Sequence, residues 1–253
     1  MNAVAVGIAV FAITLGGALG GMRLRAFLPD HHLSPESRDS VKLGIGLVAT
    51  ITALVLGLVT ASAKNSFDNL DGAVRRGAAD ILSLDRALAR YGAEATDIRH
   101  ALKEVVAHRI EMIWPKGQPG PVSLDPTEAL NRVEQIPARI RSLAPKTEEQ
   151  RAQQARALAL SESLLDERWA VFSGLGSSVP APFLVILVFW LAVTFTSFGL
   201  FAPNNATVII TLVVCALSVA GAMFLILEMG AGFEGLIRVS PQPMLFALEH
   251  LNK

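Results

Sequence analysis

The chain has 253 residues, 52% of them hydrophobic and 17% charged, and its mean hydropathy is +0.47. A water-soluble domain of this size carries about 25% charge, so much of this sequence is built for another solvent. The formal net charge is zero, which argues against a nucleic-acid partner, and a lone cysteine, Cys215, rules out a disulfide framework.

The charges that remain are blocked along the chain. None falls between Met1 and Met22, between Leu43 and Ala63, or between Trp169 and Leu227, whereas the stretch from Lys64 to Arg168 mixes acids and bases like an ordinary soluble protein. A hydrocarbon core of ~30 Å takes about 20 apolar residues in helix. Residues 2–22 and 43–63 meet that length. The long uncharged stretch holds two more spans, about 183–201 and 206–228, separated where Ala202-Pro203-Asn204-Asn205 ends one helix and caps the next. The first span lacks a basic leader, since Arg23 and Arg25 follow it, so an uncleaved helix is expected.

The expected fold class is an all-α integral membrane protein with four transmembrane helices and a helical extramembrane domain between helices 2 and 3. Its parts are residues 1–63 (spans 1 and 2), 64–179 (the domain), 180–229 (spans 3 and 4) and 230–253 (a C-terminal tail). Four spans put the domain and both ends on one side. The loop 23–42 carries Arg23, Arg25, Arg38 and Lys42, while Lys64, Arg75, Arg76, Arg168, Arg238 and Lys253 lie near helix ends on the other side. Counting cations by the positive-inside rule does not separate the two orientations.

In the domain, Phe67, Leu70, Val74, Ile81, Leu84, Leu88 and Tyr91 recur at spacings of three and four, with Gly77 in the gap. This is a heptad seam. No breaker separates it from span 2, so one long helix is expected to leave the membrane. A second helix, near 94–113, should stop at Trp114-Pro115. After the Pro/Gly-rich loop 115–121, Asp125-Pro126 opens a third helix carrying Leu130, Val133, Ile140 and Leu143, kinked at Pro137. Thr147-Glu148-Glu149 opens a fourth, running through Leu158, Leu164 and Leu165 towards Trp169.

Several sets of residues carry candidate chemistry. Ala49, Ala53, Gly57 and Ala61 in span 2 are four apart, as are Gly16 and Gly20, and Gly17 and Gly21, in span 1; such small residues let helices approach closely in lipid. Thr207, Thr211, Cys215 and Ser218 form one stripe on span 4, and span 3 adds Thr194 and Ser197. A water or ion path needs hydroxyls of this kind, but hydroxyls bonded to their own helix or across packed helices explain them more simply. No ionisable residue lies within the spans before Glu228, which disfavours a proton-coupled carrier or pump. His100, Glu104, His108 and Glu111 share a helix face at metal-ligand spacing, beside Arg99, Lys103 and Arg109. A solvated face explains them better than a metal, so neither metal nor cofactor is expected. Asp30-His31-His32 reads as a polar interfacial loop. With no nucleophile set beside a base, no enzyme is expected either.

Several stretches together resemble a bacterial membrane family labelled bestrophin-like. They include Leu28-Pro29-Asp30-His31-His32-Leu33, Leu84-Asp85-Arg86-Ala87-Leu88-Ala89-Arg90-Tyr91-Gly92 and Phe189-Trp190, with Phe224-Leu225-Ile226-Leu227-Glu228 near the end. The most specific is Ser197-Phe198-Gly199-Leu200-Phe201-Ala202-Pro203-Asn204-Asn205. The resemblance implies an oligomer around a central pore in the bacterial inner membrane, an anion as permeant, and a cytoplasmic central domain. A non-conducting membrane scaffold or sensor, whose domain binds a partner or relays a signal, is the alternative. Two departures stand out. Span 2 lacks the aromatic residues that line a bestrophin neck. Gly230 and Gly232 replace an expected acid and proline, which predicts a looser turn before Phe233.

Overall fold

The computed structural model describes residues 2–29, 34–115, 135–174, 181–233 and 235–253, and among them it contains helices and no strand. The helices are α1 (Ala3–Leu24), α2 (Pro35–Tyr91), α3 (Thr96–Ile113), α4 (135–141), α5 (Glu148–Gly174), α6 (Ala181–Phe201), α7 (Ala206–Ala231) and α8 (Gln242–His250). Four of them, α1, α2, α6 and α7, are long and apolar enough to cross a membrane. The chain divides into two compact units: Met1–Asn65 with Ser178–Gly230, and Ser66–Ser177 with Ala231–Lys253.

The membrane unit is held by α1, the first part of α2, α6 and α7. Val10 from α1, Leu184, Leu187 and Leu191 from α6, and Met223 and Ile226 from α7 are buried together, and Ala18, Phe195, Leu212 and Ala216 form a second core. The closest approach is between α1 and α6. A Cβ on Gly21 would overlap the carbonyl oxygen of Thr196, and one on Gly199 would overlap that of Ala18. One on Gly17 would come within 2.9 Å of Thr196 Oγ1. Glycine is required here because the two backbones touch. Of the two glycine pairs in α1, Gly17 and Gly21 therefore do the packing within the chain. Gly16 and Gly20 meet no other element of this chain among the described residues, because a helix face one residue round points away from α6, so their small face is left for packing between subunits.

Lipid cannot satisfy polar groups, and the hydroxyls turn back on their own helices. Thr14 donates to Val10 O (2.8 Å), Thr52 to Val48 O (2.7 Å) and Thr60 to Leu56 O (2.7 Å).

The second unit is a water-type core. The α2 seam is buried as its spacing predicts: Leu70, Val74, Ile81, Leu84, Leu88 and Tyr91 pack with Ile98, Leu102, Val106 and Ile110 of α3, Ile140 of α4 and Leu164 of α5. Each such aliphatic side chain contributes about 1.5–3 kcal/mol by leaving water. Gly92 ends α2 at φ +127°, where a side chain would be strained, and lets the chain reverse into α3. Leu130, Val133 and the Asp125-Pro126 helix start lie outside the described residues, as do residues 175–180, so α2 alone joins a span to the domain in one described helix.

The segment read as a tail is part of this core. Phe233, Val239, Met244, Ala247 and Leu251 are buried in it. The turn before Phe233, expected to be looser, is tied to this core. Gly232 sits at φ +61° with Leu70 Cδ2 only 2.6 Å from where a Cβ would be, and its carbonyl accepts from Val239 N at 2.9 Å. Trp114 meets Phe233 edge to face at 5.4 Å and donates to Val239 O at 3.0 Å.

Candidate functional site

A membrane protein's spans show where they meet other helices by the faces they leave bare and the residues those faces carry. Of the four spans, α2 is the barest: 6% of its most apolar window is buried within the chain, against 28–33% for the others. The period of 3.6 residues divides it into three faces. Thr52, Val55, Leu56, Val59 and Ala63 face the unit's core. Leu43, Leu47, Ile51, Leu54 and Leu58 form a bulky exposed face suited to acyl chains. Between them lies the small face, where Ala53, Gly57 and Ala61 are exposed and Ala49 is half-buried; a Cβ on Gly57 would meet nothing within 4 Å. Nothing in the chain covers this face among the described residues.

The hydroxyl candidates do not come together. On α7, Thr207, Thr211, Cys215 and Ser218 are all exposed on one stripe, with Thr211 bonded to Thr207 O (2.9 Å) and Ser218 to Val214 O (2.8 Å). Thr194 on α6 is instead buried at 6% exposure and donates to Trp190 O at 2.9 Å, and Ser197 is half-buried. Thr194 thus packs inside the unit and shares no surface with the α7 stripe. Thr194 lies one turn from Leu191 and beside Phe195, both buried, and that position on α6 is not revealed by the hydroxyl spacing alone.

At one end of this unit, the last turn of α6 gathers two guanidinium groups. Arg25 Nη1 donates to Ala202 O at 3.0 Å, and the Arg38 guanidinium lies over the Phe201 ring at 5.6 Å. Cations at a helix C-terminus offset its partial negative charge. The Pro203 turn then hands over to α7 through Asn205, whose side chain caps Val208 N at 2.9 Å.

In the other unit the strongest polar constellation is one the spacing did not show. Asp85 of α2 is 3% exposed and takes two bonds from Arg99 of α3, at 2.7 and 2.9 Å, and one from Asn252 N at 3.3 Å. The Asp85 hydrogen bond holds the Arg99 guanidinium above its usual pKa, against the opposing effect of burial. Lys103 reaches Leu251 O at 3.4 Å, and Asn252 meets His100 Nδ1 at 3.3 Å. The cluster clasps residues 251–253 to the domain. His100, Glu104, His108 and Glu111 are exposed along α3, and among the described residues no set of three ligands is grouped for a metal. Asp30, His31 and His32 lie outside the described residues.

A family model described as Bestrophin-like domain matches residues 9–244, nearly the whole chain. No match to a curated protein is found.

Proposed function

The chain belongs to the bestrophin-like family, and from that premise we propose that it forms an oligomeric membrane channel for small anions. The observation that carries this reading is the uncovered small face of α2. In lipid, helices associate through close packing rather than through apolarity, so a bare Gly/Ala face is where a second helix fits best. Repeating that contact around an axis arranges copies of the chain about a central space. The spans hold no acidic or basic side chain before Glu228, so the path carries no fixed negative ring that would favour cations. In this reading the protein sits in the bacterial inner membrane with its helical domain in the cytoplasm.

Reconstitution into liposomes tests it, with chloride and potassium flux measured alongside the oligomeric state in detergent. Chloride flux from a ring-sized oligomer is expected. A protein that is silent to both ions and monomeric contradicts it.

A second reading is favoured by a different observation. The unbroken helix α2 joins span and domain over 57 residues, a geometry that passes tilt or rotation from one to the other without conducting anything. A scaffold or sensor of this kind predicts an assembly that is stable, silent to ions and bound to a partner through the domain.

A further inference from the structure

The two guanidinium groups on the last turn of α6 have more charge than that turn can use. A helix C-terminus offers about half a negative charge, and it faces both Arg25 and Arg38 through consecutive residues, Ala202 and Phe201. Among the described residues no carboxylate pairs with Arg23, Arg25 or Arg38; Glu36 is exposed, and Asp39 is engaged by Lys42 at 3.6 Å. Arg38 Nε is shut off from solvent and donates to no acceptor among the described residues. Arg25 uses one of its five N–H donors on Ala202 O. Two such cations would repel each other unless an anion joined them.

The apolar surroundings say what kind of anion. Phe27 is 83% exposed and Leu24 46% exposed, both beside Arg25 in sequence, and Val41 and Leu43 are exposed just beyond Arg38 on α2. Cations and an aromatic ring at the end of a span, with bare aliphatics next to them, match the boundary between headgroups and acyl chains. A freely dissolved anion would have no use for that apolar flank.

We propose that Arg25 and Arg38, gathered on the last turn of α6, bind the phosphate of an anionic phospholipid, with Leu24, Phe27 and Leu43 against its acyl chains. The guanidinium forks meet the phosphate oxygens in the geometry that favours arginine over lysine. The site is independent of whether the protein conducts.

Native mass spectrometry of the full chain in a neutral detergent tests this, with phosphatidylglycerol, phosphatidylcholine and inorganic phosphate as probes. Phosphatidylglycerol should bind at least about tenfold more tightly than phosphatidylcholine, and inorganic phosphate should not displace it. The double variant R25Q/R38Q should lose that preference, whereas R75Q, which removes an exposed arginine paired with Asp71, should keep it. Equal binding of the two lipids, an unchanged preference in R25Q/R38Q, or displacement by inorganic phosphate would each overturn the assignment. Should R25Q/R38Q fail to fold, R38K replaces it: the charge is kept and the fork is lost, so a retained preference overturns the site and a weakened one supports it.

Discussion

One helix, α2, lives in two solvents, and its two parts are packed by opposite rules. From Leu70 to Tyr91 nearly every large apolar side chain is buried, with Leu84 at 0% and Leu88 at 1% exposure. In the span part, Leu43, Leu47, Leu54 and Leu58 are bare, at 62–79% exposure. Water forces the domain to cover its apolar seam, since each exposed leucine costs transfer free energy. Lipid exerts no such force, so the span part is free to leave whole faces uncovered. The difference teaches that a bare face means different things along the same helix. In the domain it would be a defect, whereas in the span a bulky bare face is lipid contact and a small one invites another helix.

Substitutions sharpen this contrast. The largest effect is expected where helix backbones touch. Gly199→Leu forces a side chain into the Ala18 carbonyl and should cost at least ~3 kcal/mol, seen as loss of monodisperse protein in detergent. Gly16→Leu, on the open side of α1, should be tolerated; equal damage from both would refute the α1–α6 contact. In the domain, Leu84→Ala should lower stability by about 3 kcal/mol, read as an earlier thermal transition of the soluble-type core. Asp85→Ala leaves Arg99 without its carboxylate and Asn252 N without its acceptor, and about 3 kcal/mol is again expected. Hydrogen exchange on residues 242–252 should rise with it, because the same carboxylate holds that segment. Leu54→Ala, the matching leucine deletion in the span, should change fold stability by less than about 0.5 kcal/mol, since the side chain meets lipid before and after. A large loss there would show that the bulky face of α2 is covered.

Much of this fold is legible in the sequence because charge and period are local signals. The charge-free runs locate the spans, and the heptad from Phe67 to Tyr91 names the buried face of the domain without any packing partner. What stays hidden depends on partners far away in sequence. Gly16/Gly20 and Gly17/Gly21 have identical spacing, and only the position of Thr196 and Leu200 on α6 tells them apart. Asp85 and Arg99 lie on different helices, so no spacing rule joins them. Residues 230–253 read as a tail because α8 spans nine residues, too short for a clear period, yet Met244, Ala247 and Leu251 bury themselves once α2 and α3 offer a groove. Spacing does show the hydroxyl stripe on α7 as one face, while Thr194 joins it on chemistry alone and belongs to the interior.

The central claim, that the small face of α2 meets a second copy of the chain, is tested most directly by cysteine crosslinking in membranes. With Cys215 replaced by serine, a cysteine at Gly57 should give a disulfide-linked dimer band on mild oxidation, and one at Leu54, on the bulky face, should give little. A Gly57 cysteine that never crosslinks, in protein that also runs as a monomer, would contradict the account.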